Sequence, residues 1–143
     1  MNKIEIFYDS IDKISMILYN ELKMPYIEAI IESASLINSN YVKELEISTG
    51  SKGSITKTIN KLYNIDFEKE EIRKALQLVF LKAFKHEKIK NSEMTPDTIG
   101  LIMGYLVKII FEGKKELTIM DPLVGTSNLL SAVANFINLN KVN

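Results

Sequence analysis

Glu116-Leu117-Thr118-Ile119-Met120-Asp121-Pro122-Leu123-Val124-Gly125-Thr126-Ser127-Asn128-Leu129-Leu130 carries the most information in this chain. Glu116 to Asp121 is short, apolar and rich in β-formers, which predicts a strand. Pro122 to Thr126 reads as a tight loop. Asn128 to about Asn138 reads as a helix, with Leu129, Leu130, Val133, Phe136 and Ile137 apolar. An acidic residue at a strand's end, a glycine in the turn and a helix beginning at once form a site suited to a nucleotide-like cofactor. Gly125 lets the backbone come close to a ligand. The helix start offers N–H groups with no intrahelical acceptor. Asp121 can accept from an ammonium or a hydroxyl. Neither G-x-x-x-x-G-K-[ST] nor G-x-G-x-x-G occurs, so ATP and NAD are poorly supported.

Upstream, Thr95-Pro96-Asp97 is a strong helix start, with Thr95 as cap, Pro96 at the first helical position and Asp97 at the positive end of the dipole. Capping alone also explains this triplet. The helix should run through Ile99, Ile102, Leu106 and Ile109 to Glu112 and stop at Gly113. Gly100 and Gly104 lie one turn apart, so another element is expected to pack closely there.

The first two-thirds of the chain reads as helices. Ile4, Phe7, Ile11, Ile14, Leu18 and Leu22 form one apolar stripe over Ile4 to Lys23. A second helix should open at Pro25 and fade in Asn38-Ser39-Asn40. Tyr41 to Ile47 reads as a short helix, Ser48 to Ser54 as a flexible stretch and Ile55 to Tyr63 as another short helix. Asp66 is a plausible N-cap for a strong helix reaching His86. A polar segment, Lys88 to Glu93, follows.

Composition sets limits. Lys+Arg and Asp+Glu number 18 each, so no net charge draws the 143-residue chain to nucleic acid or anionic lipid. Without cysteine, disulfides and thiolate metal sites are excluded, and the single His86 rules out a His-rich metal site. His86 reads as a solvated residue near a helix end. Tyr8, Tyr19, Tyr26 and Tyr63 read as core or rim. Lys82, Lys85, Lys88 and Lys90 could touch phosphate, yet interspersed Glu87 and Glu93 favour a solvated face. No apolar run approaches the roughly 18 residues of a membrane span. No secretion signal is legible at the N-terminus, so a cytoplasmic location is expected.

Asp121-Pro122-Leu123-Val124-Gly125-Thr126-Ser127-Asn128-Leu129-Leu130 resembles motif I of class I S-adenosylmethionine (SAM) dependent methyltransferases, in the D-P-x-x-G-T-G-N-L-L form of adenine-specific DNA methyltransferases. Met94-Thr95-Pro96-Asp97-Thr98-Ile99-Gly100 looks like the upstream T-P segment of those enzymes. Leu22 to Ala29 and Glu71 to Ala75 are similar to the helical domain of a bacterial branch of the family. The resemblance implies that Asp121 meets the amino group of the cofactor's methionine end and that Gly125 and Thr126 shape the turn around it. It implies that Thr95 and Pro96 lie near the methionine carboxylate. Pro122, Ser127 and Asn128 complete the cofactor-binding set. Ser127 stands where the family has a second glycine. The family's [DNS]-P-P-[YFW] tetrapeptide is missing, because Pro25, Pro96 and Pro122 are isolated, so no catalytic residue is assigned.

The expected fold is therefore mainly α: a helical N-terminal domain over residues 1–93, then over 94–143 the first β-strand–loop–α-helix of a Rossmann-like α/β domain. That second part is incomplete, and we expect a truncated, split or fragmentary methyltransferase. A lone strand leaves its edges unpaired, which predicts self-association or a complementing chain. The expected function is the front portion of an enzyme methylating a nucleic-acid amino group, with nucleic acid as partner of the full-length protein and no membrane. The alternative is a non-enzymatic helical module binding protein or DNA. For it, Ser48 to Ser54 followed by Ile55 to Tyr63 faintly suggests a helix-turn-helix presenting Lys57, Asn60 and Lys61.

Overall fold

The computed structural model describes residues 2–88 and 94–137. The chain divides into two compact units, Met1–Ile89 and Lys90–Asn143. The polar segment beyond Lys88, Lys90 within it, and the end of the last helix beyond Ile137 lie outside the described residues.

The first unit is a bundle of α1 (Lys3–Leu22), α2 (Tyr26–Ser39), α3 (Thr49–Tyr63) and α4 (Lys69–His86), with a 3₁₀ turn at Val42–Glu44. Of the stripe read on α1, Phe7, Ile11, Ile14 and Leu18 are buried, and Ile4 and Leu22 at its ends are half-buried. Asn2 accepts from the Ile4 amide, and Glu5 returns a bond to the Asn2 amide, closing a capping box. α1 packs on α2, α3 and α4. Phe7, Ile11, Tyr26, Ile30 and Val79 lie in one cluster, and Ile14, Leu18, Leu36, Ile55 and Ile59 in another. Each fully buried Ile or Leu contributes about 1.5–3 kcal/mol through the removal of apolar surface from water. Where α1 meets α2, the hydroxyls of Ser15 and Ser33 lie 3.0 Å apart, and each also donates to its own helix, to the carbonyls of Ile11 and Ala29. Two small, satisfied side chains let the backbones approach without burying an orphaned group.

Several local readings shift. Tyr41 to Ile47 is not an α-helix but holds only the short 3₁₀ turn. Pro25 is the N-cap of α2, one position earlier than the first-turn site proposed for it. Asp66 does not cap α4; Glu68 does, in a capping box with Glu71. The Asp66 carbonyl instead accepts from Lys3 Nζ at 2.6 Å.

The largest difference in this unit is Ser48 to Ser54. It is helical from Thr49, continuous with Ile55 to Tyr63. Gly50 and Gly53 each cost about 0.5–1 kcal/mol relative to alanine. The start is offset by capping: Ser48 Oγ accepts from the Ser51 amide, and Glu21 of α1 accepts from the Ser48 amide at 2.7 Å, from Ser48 Oγ at 2.9 Å and from the Ser51 hydroxyl. The suggested helix-turn-helix thereby loses its turn, although Lys57, Asn60 and Lys61 are exposed on α3.

The second unit holds α5 (Asp97–Ile110) packed against α6 (Asn128–Ile137). Among the described residues there are helices and no strand, so the expected strand at 116–121 is not formed. A strand exists through hydrogen bonding to a neighbouring chain segment, and no partner segment is present among the described residues. The Rossmann-like reading of this part is corrected accordingly. The glycine expectation has its counterpart in the packing. A Cβ on Gly100 would stand 2.7 Å from Ala132 Cβ, and one on Gly104 2.8 Å from Phe136 Cδ1. α6 thus lies directly on the α5 backbone. α5 ends at Ile110, short of Glu112, and Gly113 sits beyond it at φ +79°, a left-handed position that favours glycine.

Candidate functional site

Thr95 is not the cap of α5; Pro96 occupies that position, without a side-chain cap bond. The main chain of Thr95 has a distant partner. Its carbonyl accepts from Asn128 Nδ2 at 2.7 Å, across 33 residues. Asn128 is buried, and its Nδ2 also lies 3.5 Å from Asp97 Oδ1. The starts of α5 and α6 are thus joined, and the Thr95-Pro96 segment meets the loop 121–127. Two helix N-termini side by side concentrate partial positive charge, a setting that favours an anionic group.

The loop has defined turn chemistry. Asp121 Oδ1 accepts from the Leu123 amide at 3.0 Å, so the aspartate holds its own turn. Its Oδ2 has no partner among the described residues. Pro122, Leu123, Val124 and Gly125 are exposed, while Asp121 and Thr126 are half-buried. Gly125 has φ +52°, and a Cβ there would meet little, the nearest atom being the Leu123 carbonyl oxygen at 3.9 Å. Its need for glycine is conformational. The Ser127 amide donates to the Val124 carbonyl at 2.8 Å, and Ser131 donates to the Ser127 carbonyl at 2.9 Å, the first bond of the helix. Ser127 has φ +60°. The position where the resemblance expects glycine therefore carries a left-handed serine, at a cost of about 1–2 kcal/mol.

These residues fit the amino-acid end of a cofactor in kind. A carboxylate with an open oxygen suits an ammonium, and the paired helix starts suit a carboxylate. Asp121, Gly125, Thr126, Ser127 and Asn128 share one loop and helix start, and Asn128 brings Thr95 and Pro96 to them.

A family model described as the YtxK N-terminal helical domain matches residues 5–84, more than half of the chain. The chain belongs to the YtxK-like family. The uncharacterized protein YtxK of Bacillus subtilis (strain 168) is 38% identical over 129 residues, 90% of this chain and 39% of that protein. A crystal structure from Listeria monocytogenes, of a protein provisionally assigned as a class I S-adenosylmethionine-dependent methyltransferase, matches with a TM-score of 0.79 and 33% identity. The match covers 99% of this YtxK-like chain and 44% of the Listeria chain. The chain thus spans less than half the length of these two relatives.

A second cluster escaped the reading of the sequence. Tyr26, buried at the start of α2, donates its hydroxyl to Asp12 of α1. Lys82 of α4 binds both Asp12 oxygens, at 2.6 and 2.7 Å, and its Nζ lies 5.6 Å from the Tyr26 ring centroid. His86 and Tyr19 pack their rings on Tyr26. Burial, and then the Asp12 carboxylate, push the Tyr26 hydroxyl's pKa well up, so it stays protonated. This triad ties three helices together and needs no ligand to explain it. Lys82, read as part of a solvated face, is committed to Asp12. Only the tertiary arrangement brings Asp12, Tyr26 and Lys82 within reach, so helical periodicity could not have found them.

Among the described residues, no helix is long and apolar enough to cross a membrane.

Proposed function

We propose that residues 94–137 are the opening segment of a SAM-binding domain and that the YtxK-like helices precede it in a methyltransferase. The observation that carries this reading is the loop 121–127, joined through Asn128 to Thr95, within a chain that matches the Listeria protein over 99% of its length. In this reading Asp121 receives the cofactor's ammonium, and Gly125 and Thr126 let the backbone lie against it. The starts of α5 and α6 face its carboxylate. When bound, the cofactor supplies an electrophilic methyl group on a sulfonium sulfur. The residues of this chain bind and orient the cofactor; the acceptor amine is the substrate's, and the groups that position it belong to other parts of a full-length enzyme. A nucleic-acid base amino group of the adenine type is the acceptor favoured by the form of the motif.

Calorimetric titration with SAM, on this chain and on a longer relative such as the Listeria protein, tests the reading. Heat is expected with the longer protein and a loss of affinity on replacing its counterpart of Asp121 with alanine. Absence of heat with both proteins removes the proposal.

A further inference from the structure

α3 buries one side, with Ile55, Thr58, Ile59 and Leu62, and leaves the other to solvent. At about 100° per residue, the residues opposite that stripe are Gly50, Gly53, Lys57, Asn60, Lys61 and the C-cap Asn64. All six are exposed. From Ile47 to Ile65 the sequence has no acidic residue, yet it has Lys52, Lys57 and Lys61. Lys52 donates to the Lys43 carbonyl at 2.9 Å. Lys57 and Lys61 have no ion-pair partner among the described residues. They stand one turn apart, about 6 Å along the helix axis. In a chain without net charge this is a local excess of positive charge, and such a patch attracts a polyanion.

The rest of the face selects which polyanion. A helix that lies on a lipid surface carries large apolar residues beside its lysines, and this face has none. A single strand needs aromatic rings on which its bases stack. Tyr63, the one aromatic residue of α3, lies to the side of the face, with its hydroxyl donating to the Ile37 carbonyl at 2.5 Å. What remains is two ammonium groups around the amide of Asn60, donors that suit the phosphates and base edges of a duplex. A Cβ on Gly50 or Gly53 would meet nothing within 4 Å, so neither glycine is required by packing within the chain. The turn before Lys57 is therefore bare, with no side chain to hold a bulky partner away. The major groove of B-form DNA admits one helix, whereas that of A-form RNA is too narrow for side chains to read. We infer that this face of α3 docks in the major groove of duplex DNA, with Lys57 and Lys61 on phosphates and Asn60 toward the base edges. One continuous helix serves, without the turn of a helix-turn-helix. The contact is carried by α3 itself, and it rests on the proposed methyltransferase reading only for the duplex being the substrate.

The test is fluorescence anisotropy of a short labelled DNA duplex titrated with the full chain, without SAM, between about 50 and 200 mM salt. Binding is expected, and it should weaken as salt rises. Lys57→Gln with Lys61→Gln should lower the affinity at least about tenfold at the lower salt and reduce the slope of log affinity against log salt by about 2. Both lysines are exposed, so the doubly substituted chain should keep its helical circular dichroism. Lys57→Arg with Lys61→Arg should retain binding. Gly53→Gln should strengthen the helix yet weaken binding, because its side chain enters the contact. Lys85→Gln, exposed on α4, should leave the affinity unchanged. No binding, an equal loss with Lys85→Gln, an affinity indifferent to Gly53→Gln, or equal affinity for an RNA duplex or a single strand would each overturn the inference. So would uptake of phosphatidylglycerol vesicles in place of DNA. SAM titration separates the two claims: SAM uptake by the Listeria protein without duplex binding by this chain removes this inference alone, and duplex binding without SAM uptake by either protein removes the cofactor reading alone.

Discussion

Asn128 Nδ2 donates to the carbonyl of Thr95 at 2.7 Å and thereby joins the starts of two helices that are far apart in sequence. The bond is partly buried: Asn128 is buried and Thr95 half-buried. Asn128→Ala removes the donor and leaves the Thr95 carbonyl to find water or go unpaired. The expected cost is about 1–3 kcal/mol, read as faster amide exchange along α5 and α6. A change below about 0.5 kcal/mol would show that this bond does not hold the two starts together.

Glycines in this chain should respond in opposite directions to the same substitution. Gly100→Ala places a methyl group 2.7 Å from Ala132 Cβ, and relief requires α6 to move. The expected loss is about 1–3 kcal/mol, larger than the roughly 1 kcal/mol gained in helix propensity. Gly53→Ala, inside α3 with nothing within 4 Å, should stabilise the first unit by about 0.4–1 kcal/mol. Urea denaturation of both variants gives the comparison, and equal signs would refute the packing argument.

Ser127 occupies a left-handed conformation at φ +60°. Ser127→Gly relieves about 1–2 kcal/mol of backbone strain and returns about 0.4–1 kcal/mol through the freer unfolded chain. A net stabilisation near 0.5–1 kcal/mol is expected in thermal melts. Ser127→Val, with a branched Cβ at positive φ, should destabilise.

The pH dependence of the first unit has two limbs. Burial raises the Tyr26 pKa in the folded state, so the unfolded chain ionises first, and stability declines as pH climbs above the ordinary tyrosine value of about 10. Tyr26→Phe should flatten that limb. Glu21 is shifted downward, first by the Ser51 hydroxyl and then by the Ser48 amide. Its contribution is present above the unfolded carboxylate value of 4.5 and fades as pH falls through the lower folded value. Glu21→Gln should flatten the acid limb. Unaltered pH profiles in urea titrations would contradict both assignments.

The helices of the first unit were legible because their apolar spacing is a local signal. Phe7, Ile11, Ile14 and Leu18 are the buried apolar residues of α1, and Ile55, Ile59 and Leu62 those of α3. The close approach at Gly100 and Gly104 was legible for the same reason, since two missing side chains one turn apart leave a groove. The start of α3 was not legible. Its cap is completed by Glu21, a residue of α1, and the glycines that suggested a flexible stretch are held in helix by that distant carboxylate. Likewise, the start of α2 has no side-chain cap of its own, yet the Ile27 amide donates to Glu87, which directly follows α4.

By itself the sequence determined the helices α1, α2, α4, α5 and α6, the apolar stripe that α1 buries, and that residues 121–128 would make a turn opening a helix. Those properties follow from spacing and from turn chemistry within a few residues. Only the tertiary structure decided that Asn128 would reach Thr95, that Asp12, Tyr26 and Lys82 would meet, and that 116–121 would form no ladder among the described residues. A strand is completed by another segment and a cross-helix bond by another helix, so neither is contained in the local order of residues.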